Sequence, residues 1–161
     1  MTRLTRMRAC SRTDMRRLRG NAGTSLVEAA LIIPLLLLLT FAMVDFGIVF
    51  YAYLALENGV SQATRYSVTG SQAPGLSREE SIKKVMRDTT PTLTIADSAF
   101  SFSYLKPGGT WQSGVGSPSD VQKVTITYAW TFMTPLIRPF FTNGELVLKV
   151  ESSMKNEPRF N

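Results

Sequence analysis

The chain contains no histidine and a single cysteine, Cys10. Without an imidazole there is no Ser-His-Asp triad, no Cys-His pair and no His/Cys metal cluster. One thiol closes no disulfide within a chain. A phosphate-cradling glycine loop is missing too. The glycine-rich stretch "KPGGTWQSGVG" carries no Gly-Lys-Ser/Thr and opens no helix, so it reads as a loop. Carboxylate chemistry remains, but the acids beyond the apolar run (Glu79, Glu80, Asp88, Asp97, Asp120 and Glu145 among them) form no pairing that sequence reveals. The expectation is a protein without catalytic residues, cofactor, metal or small-molecule substrate.

Negative charge is scarce at one end. Residues 1–23 hold seven arginines and one acid, Asp14. Removing these from the totals of 18 basic and 12 acidic residues leaves eleven of each. The net charge of +6 therefore lies entirely before the apolar run. A nucleic-acid binder needs basic residues on a folded surface. A short arginine-rich leader beside a hydrophobic segment is instead a cytoplasmic membrane flank, and nucleic acid is not expected as a partner.

What is abundant is apolar sequence. Residues 29–44 carry no charge, and beyond Asp45 the chain stays mostly apolar to Leu56. A spanning helix needs about 20 largely apolar residues, so a span over residues 26–50 is expected. The positive-inside rule leaves the N-terminus cytoplasmic and exports the C-terminal part. A cleavable secretory signal would have a shorter core and an A-x-A-like site. Arg16-Arg17 suggests a twin-arginine signal, but the run is too apolar for one. A plain signal anchor stays open.

Two acids and a proline interrupt this picture. Glu28 heads the run, where a carboxylate costs little; two or three turns deeper it would cost about 2.5–3.5 kcal/mol or more. It stands at position five if the chain is cut between Gly23 and Thr24. A cut after Gly20 would place it at position eight. Pro34 removes one helical hydrogen bond and bends a helix. Asp45 lies 17 residues after Glu28, about 25 Å at the helical rise, and is expected at the opposite interface in reach of water.

The helix should continue past the membrane. Val49, Tyr53, Leu56, Val60 and Ala63 keep i, i+3/i+4 spacing. Ala55, Gly59, Ala63 and Ser67 recur every four residues as a ridge of small side chains, suited to packing on the chain's own sheet or on a partner helix. Gly70 and Pro74-Gly75 end it. "SREE" at Ser77 is a capping box with Glu80 at N3, opening a short helix to about Arg87. The period then changes to two. Phe100, Phe102 and Tyr104; Val124, Ile126, Tyr128, Trp130 and Phe132; and Leu146, Leu148 and Val150 predict three half-buried strands, with a fourth at residues 93–96. Between the last two, "TPLIRPFFTNG" holds Leu136, Ile137, Phe140 and Phe141 between prolines. It is either a loop folded under the sheet or an apolar tip touching the bilayer or a partner.

A basic leader, a glycine, a glutamate five residues on and a proline-containing apolar helix resemble the type IV prepilin pattern. More closely, "GTSLVEAALIIPLLLLLTFAMVDFGIVFYAYLALENGVSQATRYSVTG" and the tail "TFMTPLIRPF…VLKVESSMKNE" resemble the TadE-like pseudopilins of tight-adherence (Flp) pili. Glu28, Pro34, Asp45, Gly47 and "ATRY" at residues 63–66 carry the likeness. It implies a pilin-like α+β fold: one long N-terminal transmembrane helix running into the periplasm, packed on a small antiparallel sheet, with one short extra helix. The divisions are a leader at 1–23, a helix at 24–70 and a periplasmic domain at 71–161. It further implies a minor pseudopilin of the bacterial inner membrane. A prepilin peptidase would cut at Gly23/Thr24, and other pseudopilins and inner-membrane assembly proteins would be partners alongside the bilayer. Glu28, Pro34 and Asp45 would serve register, with Glu28 neutralising the amine of a neighbour's Thr24. The alternative is an unprocessed, single-pass anchored binding or sensor module.

Overall fold

The structure, a computed structural model, describes residues 12–135 and 137–158, with side chains from Gly23 onward. The first eleven residues of the basic leader and Leu136 lie outside the described residues. The chain divides into two compact units, residues 1–41 and 42–161.

The first unit is helical from Arg12 and belongs to one helix, α1 (Arg12–Val68), which runs unbroken through Gly23 and Pro34. Every described side chain from Gly23 to Phe41 is exposed.

The second unit contains the rest of α1, a second helix α2 (Arg78–Thr89) and four strands. The strands are β1 (Phe100–Leu105), β2 (Trp111–Ser113), β3 (Val121–Thr131) and β4 (Glu145–Lys155). They form one antiparallel sheet in the order β2-β1-β3-β4. Phe102 faces Val124, and Ile126 stands between Phe100 and Val150. The alternation expected from sequence therefore turns one apolar face inward, with Phe102, Val124, Ile126, Leu148 and Val150 buried. The fourth strand is a correction. Residues 93–96 form no strand, and Asp97–Ala99 is a single 3₁₀ turn. The edge strand is instead β2, three exposed residues within the stretch read as a loop.

From Ala42 on, α1 covers this face. Its buried stripe runs Asp45, Val49, Ala52, Leu56, Gly59/Val60, Ala63/Thr64 and Ser67, alternating steps of four and three. Ala52 takes the place expected for Tyr53. Ala52 is three residues from Val49 and four from Leu56, whereas Tyr53 is rotated one residue, about 100°, out of the stripe and is 37 % exposed. Each large aliphatic side chain buried here contributes about 1.5–3 kcal/mol.

Three of the four ridge residues, Gly59, Ala63 and Ser67, lie within this stripe, and Gly59 faces α2. A Cβ on Gly59 would lie 2.6 Å from Met86 Sδ and 2.7 Å from Thr90 Cγ2. Gly59, Ala63 and Ser67 are buried and Ala55 is half-buried. The ridge therefore serves close packing inside the unit, at Gly59 against the short helix rather than the sheet. That helix is opened by the expected capping box. The Ser77 amide donates to Glu80 Oε2 (2.8 Å) and the Glu80 amide to Ser77 Oγ (3.2 Å). Ile82 and Met86 point into the core.

At the end of α1 a set of polar groups ties four segments together. Arg78 donates through Nη1 to the Gly116 carbonyl (2.6 Å) and through Nη2 to the Ser67 carbonyl (2.8 Å). Partial burial lowers the pKa of its guanidinium. The Glu157 amide donates to the Val68 carbonyl, and Asn156 Nδ2 to the Ser117 carbonyl. Gln122, fully buried, accepts from the Gly116 amide at 2.7 Å. The unpaired carbonyls at the end of a helix need partners of this kind.

Candidate functional site

The segment with the strongest functional character is α1 up to Phe41. An apolar side chain exposed to water is unremarkable singly, but here the exposure runs all round. Leu26 is 72 % exposed and Leu31 73 %, and no residue of the most apolar 18-residue window is buried. A helix that is apolar on every face needs an apolar surround, and this one is long enough to cross a bilayer. Pro34 has no amide hydrogen, so the carbonyl of Ala30 has no i+4 donor. Thr40 Oγ1 bonds back to the Leu36 carbonyl at 2.8 Å, so this hydroxyl needs no water.

At the head of the segment Gly23, Thr24, Val27 and Glu28 line one shallow, open notch. Thr24 and Glu28 are one helical turn apart and share a face. The structure thus brings together the glycine, the residue after it and the acid singled out in the sequence. Nothing lies within 4 Å of where a Cβ on Gly23 would stand. Neighbouring residues therefore do not require a glycine at this position.

The other acid is placed differently from the expectation. Asp45 is 3 % exposed and does not meet water. Its Oδ2 accepts from the Thr134 amide at 3.1 Å, so it fastens the β3–β4 connection to the helix. The helical stripe that faces the core starts at this residue, which is why it turns inward.

That connection resolves into two kinds of residue. Ile137 is buried and Phe141 half-buried. The Phe141 ring stands 4.4 Å from that of Phe132 and 6.4 Å from that of Phe46. These two belong to the core, as a loop folded under the sheet requires. Phe140 is 74 % exposed and points outward, as a tip requires. Leu136 lies outside the described residues. Two short 3₁₀ turns, Arg138–Phe140 and Thr142–Gly144, shape the loop despite its prolines. Sequence reading passed over Met133, 73 % exposed. Its signal was available, because the alternation that turns Tyr128, Trp130 and Phe132 inward turns Met133 out.

Two carboxylates outside α1 are held below the usual carboxylate range. The Ser77 hydrogen bonds do this for Glu80, and the Arg87 guanidinium does it for Asp97. Arg87 also donates through Nε to the Ile95 carbonyl at 3.1 Å. Through Asp97 and Ile95, Arg87 stitches α2 to the segment before β1. Among the described residues no three His, Cys, Asp or Glu side chains group to hold a metal ion.

Residues 23–65 match the family model described as TadE-like protein. No curated protein and no solved structure gives a significant match to the chain.

Proposed function

We propose, from the match of residues 23–65 to the TadE-like family model, that the chain is a minor pseudopilin-like protein of tight-adherence (Flp, type IVb) pilus assembly. In this reading it sits in the bacterial inner membrane with its N-terminus cytoplasmic and residues 71–161 in the periplasm. A prepilin peptidase removes the leader between Gly23 and Thr24, and the protein then associates laterally with other pseudopilins through its helix. The observation that carries the reading is the head of α1. Gly23, Thr24 and Glu28 line one notch there, and an apolar helix with no buried residue in its most apolar window follows at once.

The physical sequence of events runs from those residues. The cut frees an α-amine at Thr24. Glu28 of one subunit neutralises that amine on a neighbour, because charges inside a membrane are tolerated when paired. The pairing sets the register at which helices associate. Pro34 leaves a carbonyl that a neighbouring helix can cover. The exported unit, with its fixed sheet and its tied helix end, is the body that such assembly would present outside.

The test is the N-terminus of the protein extracted from membranes. A free Thr24 supports the reading, and an intact leader indicates an anchored module that is never processed. Glu28→Ala should insert and export normally yet fail to support piliation. Normal pili with this variant would remove the register role.

A further inference from the structure

We propose that the connection between β3 and β4 is a lipid-contacting tip, with Met133 and Phe140 entering the outer boundary of the bilayer that α1 crosses and Arg138 at the level of the lipid phosphates. The proposal rests on the reading of α1 as a membrane span and adds a second, shallow contact to it.

Exposure comes first. Outside α1, Met133 and Phe140 are the most exposed large apolar side chains among the described residues, at 73 % and 74 %. They are not carried on a loose loop. Thr134, next to Met133, is bonded to buried Asp45. Phe141, next to Phe140, packs on Phe132. Arg138 Nε donates to the Phe132 carbonyl at 2.9 Å. The two outward side chains thus stand on a pedestal held from both sides, and their exposure belongs to the fold.

Location comes second. The loop is fastened to α1 at Asp45 and Phe46, the point where the uncharged run of residues 29–44 ends. On α1 itself Met43, Val44, Phe46 and Phe50 are exposed around this point. The tip therefore extends an apolar surface that begins on the helix. Tyr51 and Tyr53, also exposed, supply the aromatic residues that favour a membrane–water boundary.

Charge comes third and selects the occupant. From Phe132 to Gly144 the only charged residue is Arg138. An apolar tip whose own charge is a cation, with the adjoining Asp45 buried beneath it, suits an anionic headgroup layer. Its stem lies along the loop while its guanidinium stays polar, as arginine does at interfaces. Two outward side chains suffice for shallow insertion. They fall far short of the roughly 800 Å² per partner of a specific protein interface.

The experiment uses the full chain in vesicles of phosphatidylcholine and phosphatidylglycerol. Cys10→Ser removes the only cysteine, and single cysteines replace Leu35, Met133, Phe140 and Lys149 in turn. Each carries a spin label whose access to oxygen (lipid phase) and to a nickel chelate (water phase) is measured. The oxygen-to-nickel ratio at 133 and 140 is expected to follow that at 35 and to exceed that at 149 several-fold. If 133 and 140 match 149 while 35 reads lipid, the tip is wrong and the span stands. If both reagents are excluded at 140, protein covers it, which also overturns the proposal. If 35 itself reads water, the span reading falls and this proposal falls with it.

Discussion

Replacing Gln122 by methionine tests whether the polar knot at the end of α1 stabilises the second unit. Gln122 is fully buried on the inner face of β3. Its Oε1 accepts from the Gly116 amide at 2.7 Å, and its Nε2 donates to the Ser103 and Lys123 carbonyls at 3.2 Å each. Methionine keeps the length and loses all three bonds. The two longer bonds go to carbonyls of paired strands and add little. The stranded group is the Gly116 amide. The loop cannot lift to let water in freely, because Gly116 is pressed on the sheet; a Cβ there would lie 2.8 Å from Tyr104 Cβ. A buried donor left without an acceptor costs about 1–3 kcal/mol. For a unit of this size that lowers the melting temperature by roughly 4–12 °C. The assay is far-ultraviolet circular dichroism of the full chain in detergent, with hydrogen exchange at the Gly116 amide. The control is Gln112→Met, which removes an exposed bond from the Tyr104 hydroxyl and should change stability by no more than about 0.5 kcal/mol. Equal melting of Gln122→Met and the control, with unchanged exchange at Gly116, would refute the reasoning.

Gly59→Leu should destabilise the unit by about 1–3 kcal/mol through overpacking against Met86 and Thr90; a thermal melt unchanged from the parent would show that α2 can move aside. Glu80 and Asp97 both have lowered folded values, so their stabilisation is complete above their ordinary values near 4 and is lost as pH falls through the folded ones. The melting temperature should thus be level from about pH 7 to 5 and decline below about pH 4. The double variant Glu80→Gln, Asp97→Asn should decline less steeply, and an equal slope would count against both contacts. Both carboxylates are exposed, so the difference should shrink in high salt. Gly23→Leu should leave a full-length protein in membranes, read by mass; normal removal of the leader would sink the assignment of the cut.

The long helix, the capping box and the three long strands were legible because each announces itself locally. Apolar spacing, one Ser-x-x-Glu and strict alternation need no tertiary knowledge. β2 was illegible because Trp111, Gln112 and Ser113 are all exposed and the strand is too short to show a period. Its pairing with β1 is a property of the neighbour. Asp45 was misplaced because an acid at the end of an apolar run reads as a boundary marker. Only the Thr134 amide, 89 positions away, makes its burial acceptable. The Tyr53 and Ala52 exchange has a related cause. Ala52 and Tyr53 both keep i, i+3/i+4 spacing between Val49 and Leu56, so spacing alone did not separate them. The apolar connection divides: Ile137 and Phe141 fold under the sheet while Phe140 faces outward, a split that residue type alone does not announce.

The continuity of α1 through Gly23 bears on how fast the leader could be removed. Proteolysis generally takes its substrate extended, and the bond between Gly23 and Thr24 lies in helical backbone. Cleavage would then await local melting of one turn. Gly20 and Gly23 stand three residues apart there, each weakening a helix interior by about 1 kcal/mol relative to alanine. Together they raise the open population of that turn roughly 30-fold over an alanine-containing equivalent. With the cut after Gly23, as proposed, Gly20 acts as a rate setter. Gly20→Ala should slow maturation without changing where the chain is cut.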